Sequence, residues 1–318
     1  MPDRRIESIA VVGAGVIGSS WAAYFAAHGH DVVVTDPAPG TRAIMEKTIA
    51  AQWEQLATLG LPPGATLASV RFEPSLERAV ADVQFVQENG PERLEIKRAI
   101  FDQLDRYCAP DAILATSTSG LLVSDIQTAC RHPQRVVLGH PFNPPHLIPL
   151  IEVVGGRLTS AETVARAMNF YRAIGKKPIE IKREVPGHVA NRLQAALWRE
   201  AFHLVESGIA SVEDIDTAIE YGPGLRWALL GPFMNLDLSG GSAGIRHVLE
   251  HLGPPMENWW HDLGTPALSP GLNERVIAAA TAELESLGGR AEVENLRDRR
   301  LLALLVLKAA KETAETPA

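Results

Sequence analysis

The chain has 318 residues, 46% hydrophobic and 21% charged, with 30 basic and 38 acidic side chains for a formal charge of −8. That length is about twice the ~100–200 residues of one domain, so two domains are expected, and the composition excludes long disorder, collagen and low-complexity architectures. A mildly acidic chain lacks the basic footprint that phosphate-backbone binding needs, so no nucleic-acid partner is expected.

Residues 1–6 run almost at once into a β-rich stretch, without the apolar region of a signal peptide. The longest aliphatic run, residues 301–307, is far below the ~20 residues that span a bilayer, so no membrane partner is expected. Cys108 and Cys130 match no CxxC or zinc-ligand spacing, so no metal is expected. Two thiols in so long a chain suggest a reducing, cytoplasmic setting.

Strands are predicted at residues 8–12, 31–35, 83–87, 113–116, 136–139 and 150–154, with a final edge strand at 178–182. Helices are predicted at 17–27, 41–59, 92–107 and 161–174. This alternation predicts an α/β fold: a Rossmann-type, mostly parallel sheet with helices on both faces. After Val185-Pro186-Gly187 the pattern becomes helical. Residues 188–207 carry apolar positions at helical period, and Ser211 with Asp214 reads as a capping box. No later segment reads as a strand, and residues 311–318 read as a frayed tail. The expected domains are therefore 1–185 and an all-helical 186–318.

Residues 13–18 read Gly-Ala-Gly-Val-Ile-Gly, between the first strand and the first helix. In that context they are a dinucleotide-binding fingerprint. Gly13 permits the tight turn, Gly15 lets backbone approach a pyrophosphate, and Gly18 allows close helix–strand packing. The helix N-terminus, with Val16 and Ile17 in its first turn, offers free N–H groups to phosphates. Asp36 ends the second strand, where a carboxylate accepts ribose hydroxyls and repels a 2′-phosphate. The expected cofactor is NAD rather than NADP.

Four polar residues then stand out. Ser119 follows the strand at 113–116, and His140 ends the strand at 136–139. Both sit at carboxyl ends of strands in an open sheet, where ligands bind. Glu152 lies inside the aliphatic segment Leu-Ile-Glu-Val-Val and must be paired or exposed. Asn191 lies just past the domain boundary. An imidazole suits the base that alcohol oxidation needs, and a carboxylate behind it fixes its tautomer. Ser119 and Asn191 are candidates to hold the reacting oxygen. Taken singly, each has a plain alternative as a capped loop residue or a solvated strand residue.

The ensemble of Gly13–Gly18, Asp36, QENGPERLEIK (87–97), TSTSGLL (116–122), GHPFNPP (139–145), LIEVVGG (150–156) and PGHVANR (186–192) resembles the 3-hydroxyacyl-CoA dehydrogenase superfamily. The resemblance implies a Rossmann-type domain plus a helical dimerisation domain, a homodimer, and an active site of Ser119, His140, Glu152 and Asn191. It also implies Glu92 and Lys97 near the nicotinamide ribose and Asn143 near the nicotinamide and substrate.

Family members that act on coenzyme A thioesters carry a lysine-rich helical excursion after the second strand. Here residues 41–68 hold only Arg42 and Lys47 against Glu46 and Glu54, which suits an acidic CoA tail poorly. The segments GHPFNPPHLIPLIEVV, LVESGIASVEDID, ALWREA and GGSAGIRH resemble instead the branch containing lambda-crystallin, L-gulonate 3-dehydrogenase and L-carnitine dehydrogenase. That implies an NAD-dependent oxidation of a small 3-hydroxy acid with a free carboxylate; a 3-hydroxyacyl-CoA dehydrogenase is the alternative. Arg192, Arg226 and Arg246 are candidate carboxylate clamps, since Arg binds carboxylates bidentately; a structural salt bridge is the alternative for Arg192. Trp227, Trp259 and Trp260 are candidates for an aromatic wall against a quaternary ammonium, with core or interface packing the alternative.

Overall fold

The computed structural model describes residues 5–314, with side chains to residue 310. The chain divides after Arg192 into two units. In chain order the first contains β1 (Ser8–Val12), α1 (Val16–Ala27), β2 (Asp31–Thr35), α2 (Thr41–Leu59), β3 (Val70–Phe72), α3 (Leu76–Val80), β4 (Phe85–Glu88) and α4 (Leu94–Tyr107). It continues with β5 (Ile113–Thr116), α5 (Val123–Ile126), β6 (Val136–Pro141), β7 (Leu150–Gly155), α6 (Ala161–Ala173), β8 (Lys177–Glu180) and the start of α7 (Ala190–Glu206).

The strands form one sheet in the order β3-β2-β1-β4-β5-β6-β7-β8. Strands β1 to β6 pair in parallel in the Rossmann order, and the strand order reverses beside β1. Strand β7 pairs antiparallel with β6, and β8 closes the far edge in parallel with β7, so these last two strands run opposite to the other six. Pro178 fits in β8 because an edge strand has an unused hydrogen-bonding side. Strand β3 has no counterpart among the predicted elements. Only three residues long and half-exposed, it carries too little alternation to be legible.

Apolar side chains on each face of the sheet make two cores. On one face Trp21 stacks on Phe25 at 4.8 Å, beside Phe85, Phe170 and Tyr171. On the other, Phe101, Leu104, Val123 and Ile126 cover the central strands. Strands β1, β4 and β5 are buried on both faces, which is why they read as continuous aliphatic runs.

The second unit contains the rest of α7 and then α8 (Val212–Tyr221), α9 (Pro223–Trp227), α10 (Pro232–Ser239), α11 (Gly244–Asp262), α12 (Pro270–Ser286) and α13 (Arg290–Ala314). Ser211 and Asp214 form the expected capping box at the start of α8. Its described residues hold no strand. Residues 311–314 continue α13 rather than fraying, and the last four residues lie outside the described range. No helix among the described residues is long and apolar enough to cross a membrane.

Candidate active site

The fingerprint glycines sit where β1 and β4 end. Gly13 has φ +94°, and a Cβ there would lie 2.8 Å from the Asn89 carbonyl oxygen. A Cβ on Gly18 would lie 1.8 Å from the Gly13 carbonyl oxygen, so α1 packs on the turn only because that side chain is absent. Gly15 faces open space, with nothing within 4 Å of its Cβ position. The helical ladder begins with Ser19 N–H to Gly15, leaving the N–H groups of Val16, Ile17 and Gly18 ahead of it. Asp36 holds the turn: its Oδ2 accepts from Ala14 N at 2.8 Å and its Oδ1 from Ala38 N at 2.8 Å. Open backbone at a helix start, with a carboxylate at the end of β2, fits an NAD pyrophosphate and ribose.

Glu92 and Lys97 flank the next loop. Glu92 Oε1 accepts from Thr118 Oγ1 at 2.6 Å and from the N–H groups of Ser119 and Gly120. Burial would raise its pKa, but those bonds and the Lys97 charge outweigh it and hold the carboxyl below its ordinary value. Lys97 is only 1% exposed. Its ammonium donates to both Glu88 oxygens, at 2.9 and 3.0 Å, and lies 3.7 Å from Glu92. It is thus a buried brace behind Glu92, not an open ligand group. Ser119 and Asn143 are exposed, and Asn191 Nδ2 donates to the Ser119 carbonyl at 3.2 Å. Asn191 thus reaches the backbone of the loop that carries Ser119.

His140 and Glu152 meet more directly. They are cross-strand partners in the antiparallel β6–β7 ladder. His140 Nδ1 donates to Glu152 Oε2 at 2.8 Å. The other carboxylate oxygen, Oε1, accepts from Val189 N and Ala190 N, both at 2.8 Å. They lie at the N-terminal end of α7, one just before it and one in its first residue, a place that favours negative charge. Glu152 is fully buried, with both oxygens engaged. Helix α7 starts at Ala190 rather than at the predicted residue 188, and residues 186–189 form a turn ahead of it.

Several contributors were not singled out from the sequence. Gln87, fully buried on β4, donates to Ser117 Oγ and the Gly139 carbonyl and accepts from Tyr171 Oη at 2.6 Å. It fixes β6 one residue before His140. His188 lies with its ring centroid 5.2 Å from that of His140. A sequence signal that could have found the antiparallel turn pairing His140 with Glu152 is the short connection at 142–149. A parallel crossover needs about a dozen residues, so β7 had to turn back.

Arg192 donates to the Pro186 carbonyl at 3.3 Å and makes no ion pair among the described residues. Arg226, Trp227, Arg246, Trp259 and Trp260 lie in the second unit and are exposed, which removes core packing as a role for the three tryptophans. Among the described residues Arg246 makes only a solvent-exposed pair with Glu250.

Residues 8–185 match the NAD-binding domain of 3-hydroxyacyl-CoA dehydrogenase and residues 187–264 match its C-terminal domain. The chain belongs to the 3-hydroxyacyl-CoA dehydrogenase family. Within this family it is 46% identical to L-carnitine dehydrogenase of Pseudomonas aeruginosa over 97% of this chain and 95% of that one. It is 45% identical to L-carnitine dehydrogenase of Streptomyces coelicolor over 96% and 95%. Among solved structures, an NAD+-dependent dismutase, 5-formyl-3-hydroxy-2-methylpyridine 4-carboxylic acid 5-dehydrogenase, aligns with TM-score 0.82 and 33% identity over 96% of this chain and 99% of that one. FadB2 of M. tuberculosis aligns with TM-score 0.66 and 30% identity over 86% and 94%. The family member described here is an NAD-dependent oxidoreductase acting on the CH–OH group of a 3-hydroxy acid.

Proposed function

We propose that the chain oxidises the hydroxyl of L-carnitine, or of a small free L-3-hydroxy acid closely like it, with His140 as the base. The observation that carries this reading is the 2.8 Å bond from His140 Nδ1 to the buried Glu152 carboxylate. With Nδ1 donating, a neutral ring holds its lone pair on Nε2, the atom that takes the alcohol proton. Glu152, anchored by Val189 and Ala190, stabilises the imidazolium that results. Such a base contributes ~10²–10⁴-fold to rate. Ser119 and Asn191 hold the substrate oxygen. Gly13, Gly15, Val16, Ile17, Gly18 and Asp36 would hold the adenosine and pyrophosphate of NAD, and Glu92 and Asn143 would meet its nicotinamide half, with Lys97 bracing Glu92. Bound NAD supplies the two-electron acceptor for the carbinol carbon.

Three features support the carnitine type over a CoA thioester. Several relatives at about 45% identity are named L-carnitine dehydrogenases. The excursion after β2 carries no basic patch, and Arg42 there is paired with Glu46. Arg192, Arg226 and Arg246 offer guanidinium groups for a carboxylate, and Trp227, Trp259 and Trp260 offer aromatic faces for a trimethylammonium. Residues 1–185 then serve as the NAD domain and 186–318 as the substrate and homodimerisation domain. Two free thiols fit a cytoplasmic setting.

Steady-state rates with NAD over L-carnitine, L-gulonate and L-3-hydroxybutyrate, and with acetoacetyl-CoA in reverse, test the substrate. The highest kcat/KM is expected for L-carnitine; preference for the thioester overturns the reading. His140→Gln is expected to lose at least ~10²-fold in turnover and to keep NAD affinity within about twofold. Undiminished turnover removes His140 from the mechanism.

A further inference from the structure

His188 is a buried ionisable group beside the site that the reading above leaves without a task. It is 2% exposed. It is the one non-glycine residue with positive φ among the described residues, at 53°, and it follows Gly187 at 73°. Histidine visits this left-handed region more readily than most L residues, but a β-branched or bulky residue there is an outlier. Two successive left-handed residues turn the chain into α7 and deliver the N–H groups of Val189 and Ala190 to Glu152.

The ring itself reaches the opposite wall. Nε2 lies 3.1 Å from the Thr118 carbonyl oxygen. A carbonyl only accepts, so Nε2 carries the hydrogen. Thr118 immediately precedes Ser119, and the Thr118 hydroxyl is tied to Glu92. His188 thus joins the loop that presents Ser119 to the turn that anchors Glu152, with its ring 5.2 Å from that of His140.

We infer that His188 is a positioning residue of this site, whose Nε2–H bond to Thr118 sets the spacing between the substrate-oxygen donors and the His140–Glu152 pair. The inference rests on the proposed roles of His140 and Glu152. Burial, and then the neighbouring His140 charge, hold the His188 ring below the ordinary histidine range against the opposing pull of Thr118, Glu152 and Glu92. A neutral ring keeps a second positive charge away from the imidazole that has to become cationic.

The test uses the full chain with His188→Phe, which keeps a ring but no donor, and His188→Gln, which keeps a donor but no ring. His188→Phe is expected to lower kcat about 10²-fold, the scale of a slight misplacement of reacting groups, with NAD affinity unchanged. His188→Gln is expected to recover about tenfold or more of that loss. A packing role predicts the reverse order, and Phe performing as well as Gln overturns the inference. His188→Asn, which suits the left-handed backbone but is too short to reach Thr118, separates donor from backbone. It is expected to be as impaired as His188→Phe, and full activity in it overturns the inference. Should His188→Phe fail to fold, nitrogen-15 NMR of the histidine rings in the unsubstituted protein reads the same claim. An Nε2–H tautomer for His188 supports it, and an Nδ1–H tautomer overturns it. His140→Gln run in parallel separates the two claims: activity there defeats the site assignment, whereas an inactive His140→Gln beside a fully active His188→Phe defeats this inference alone.

Discussion

Glu152 has no solvent contact, yet its charge is satisfied on both oxygens. Burial alone would raise its pKa. The His140 hydrogen bond, the N–H groups of Ala190 and Val189 and the His140 charge outweigh burial and hold it below its ordinary 4.5. A carboxyl with a lowered folded pKa adds stability that is complete above the unfolded value and is lost as pH falls through the folded one. The stability gap between the unsubstituted protein and Glu152→Gln should therefore be widest near neutral pH and should narrow below pH 4.5, as read by urea denaturation across pH. A constant gap would mean that the carboxylate charge plays no part in holding α7 to β7. In turnover, Glu152→Gln should cost about 10²-fold or more, because the imidazolium loses its counter-charge.

Strand β6 is set by a close fit at one glycine. A Cβ on Gly139 would lie 1.9 Å from Tyr171 Oη and 2.8 Å from Cζ. Tyr171 is fully buried and donates to Gln87, which in turn donates to the Gly139 carbonyl. Gly139→Ala is therefore an overpacking change, expected to cost about 1–3 kcal/mol. Tyr171→Phe removes the clashing oxygen but leaves Gln87 Oε1 without its donor, at about 1–3 kcal/mol. In a calorimetric double-mutant cycle the pair should be less destabilising than the sum of the singles. Strict additivity would mean that the two groups do not meet. Lys97 on α4 and Glu88 on β4 make a comparable buried brace, with the Glu88 carboxylate also accepting from Thr116 and Gly90.

At the scale of the whole molecule the two units bury their side chains very differently. The first has extensive cores on both faces of its sheet. Among the described residues of the second, Val248 and Leu272 are the only large apolar side chains classed as buried, while Phe233 is 77% exposed and Leu193, Trp198, Met234 and Leu238 are also open. Apolar exposure on this scale marks an interaction surface, and a second copy of the chain is the proposed occupant. Light scattering should give twice the chain mass. Phe233→Glu should shift that mass toward the monomer and lower the melting temperature; an unchanged dimer would place the interface elsewhere.

The sequence by itself determined the α/β-then-helical order, the glycine turn and the acid at the end of β2, whereas Ser119, His140, Glu152 and Asn191 stood out as a set only through the family resemblance. Those signals are local: alternation, helical period, caps and a glycine spacing are written within a few turns of chain. The tertiary structure decided the register of β7 on β6, and with it the pairing of His140 with Glu152. It also decided the capping of α7 by that carboxylate, the burial of Lys97 behind Glu92 and the reach of His188 to Thr118. A strand carries the same alternation in any register shifted by two residues, so which side chain faces Glu152 follows from the partner strand that it meets. Contacts between residues dozens of positions apart exist only once the sheet is assembled.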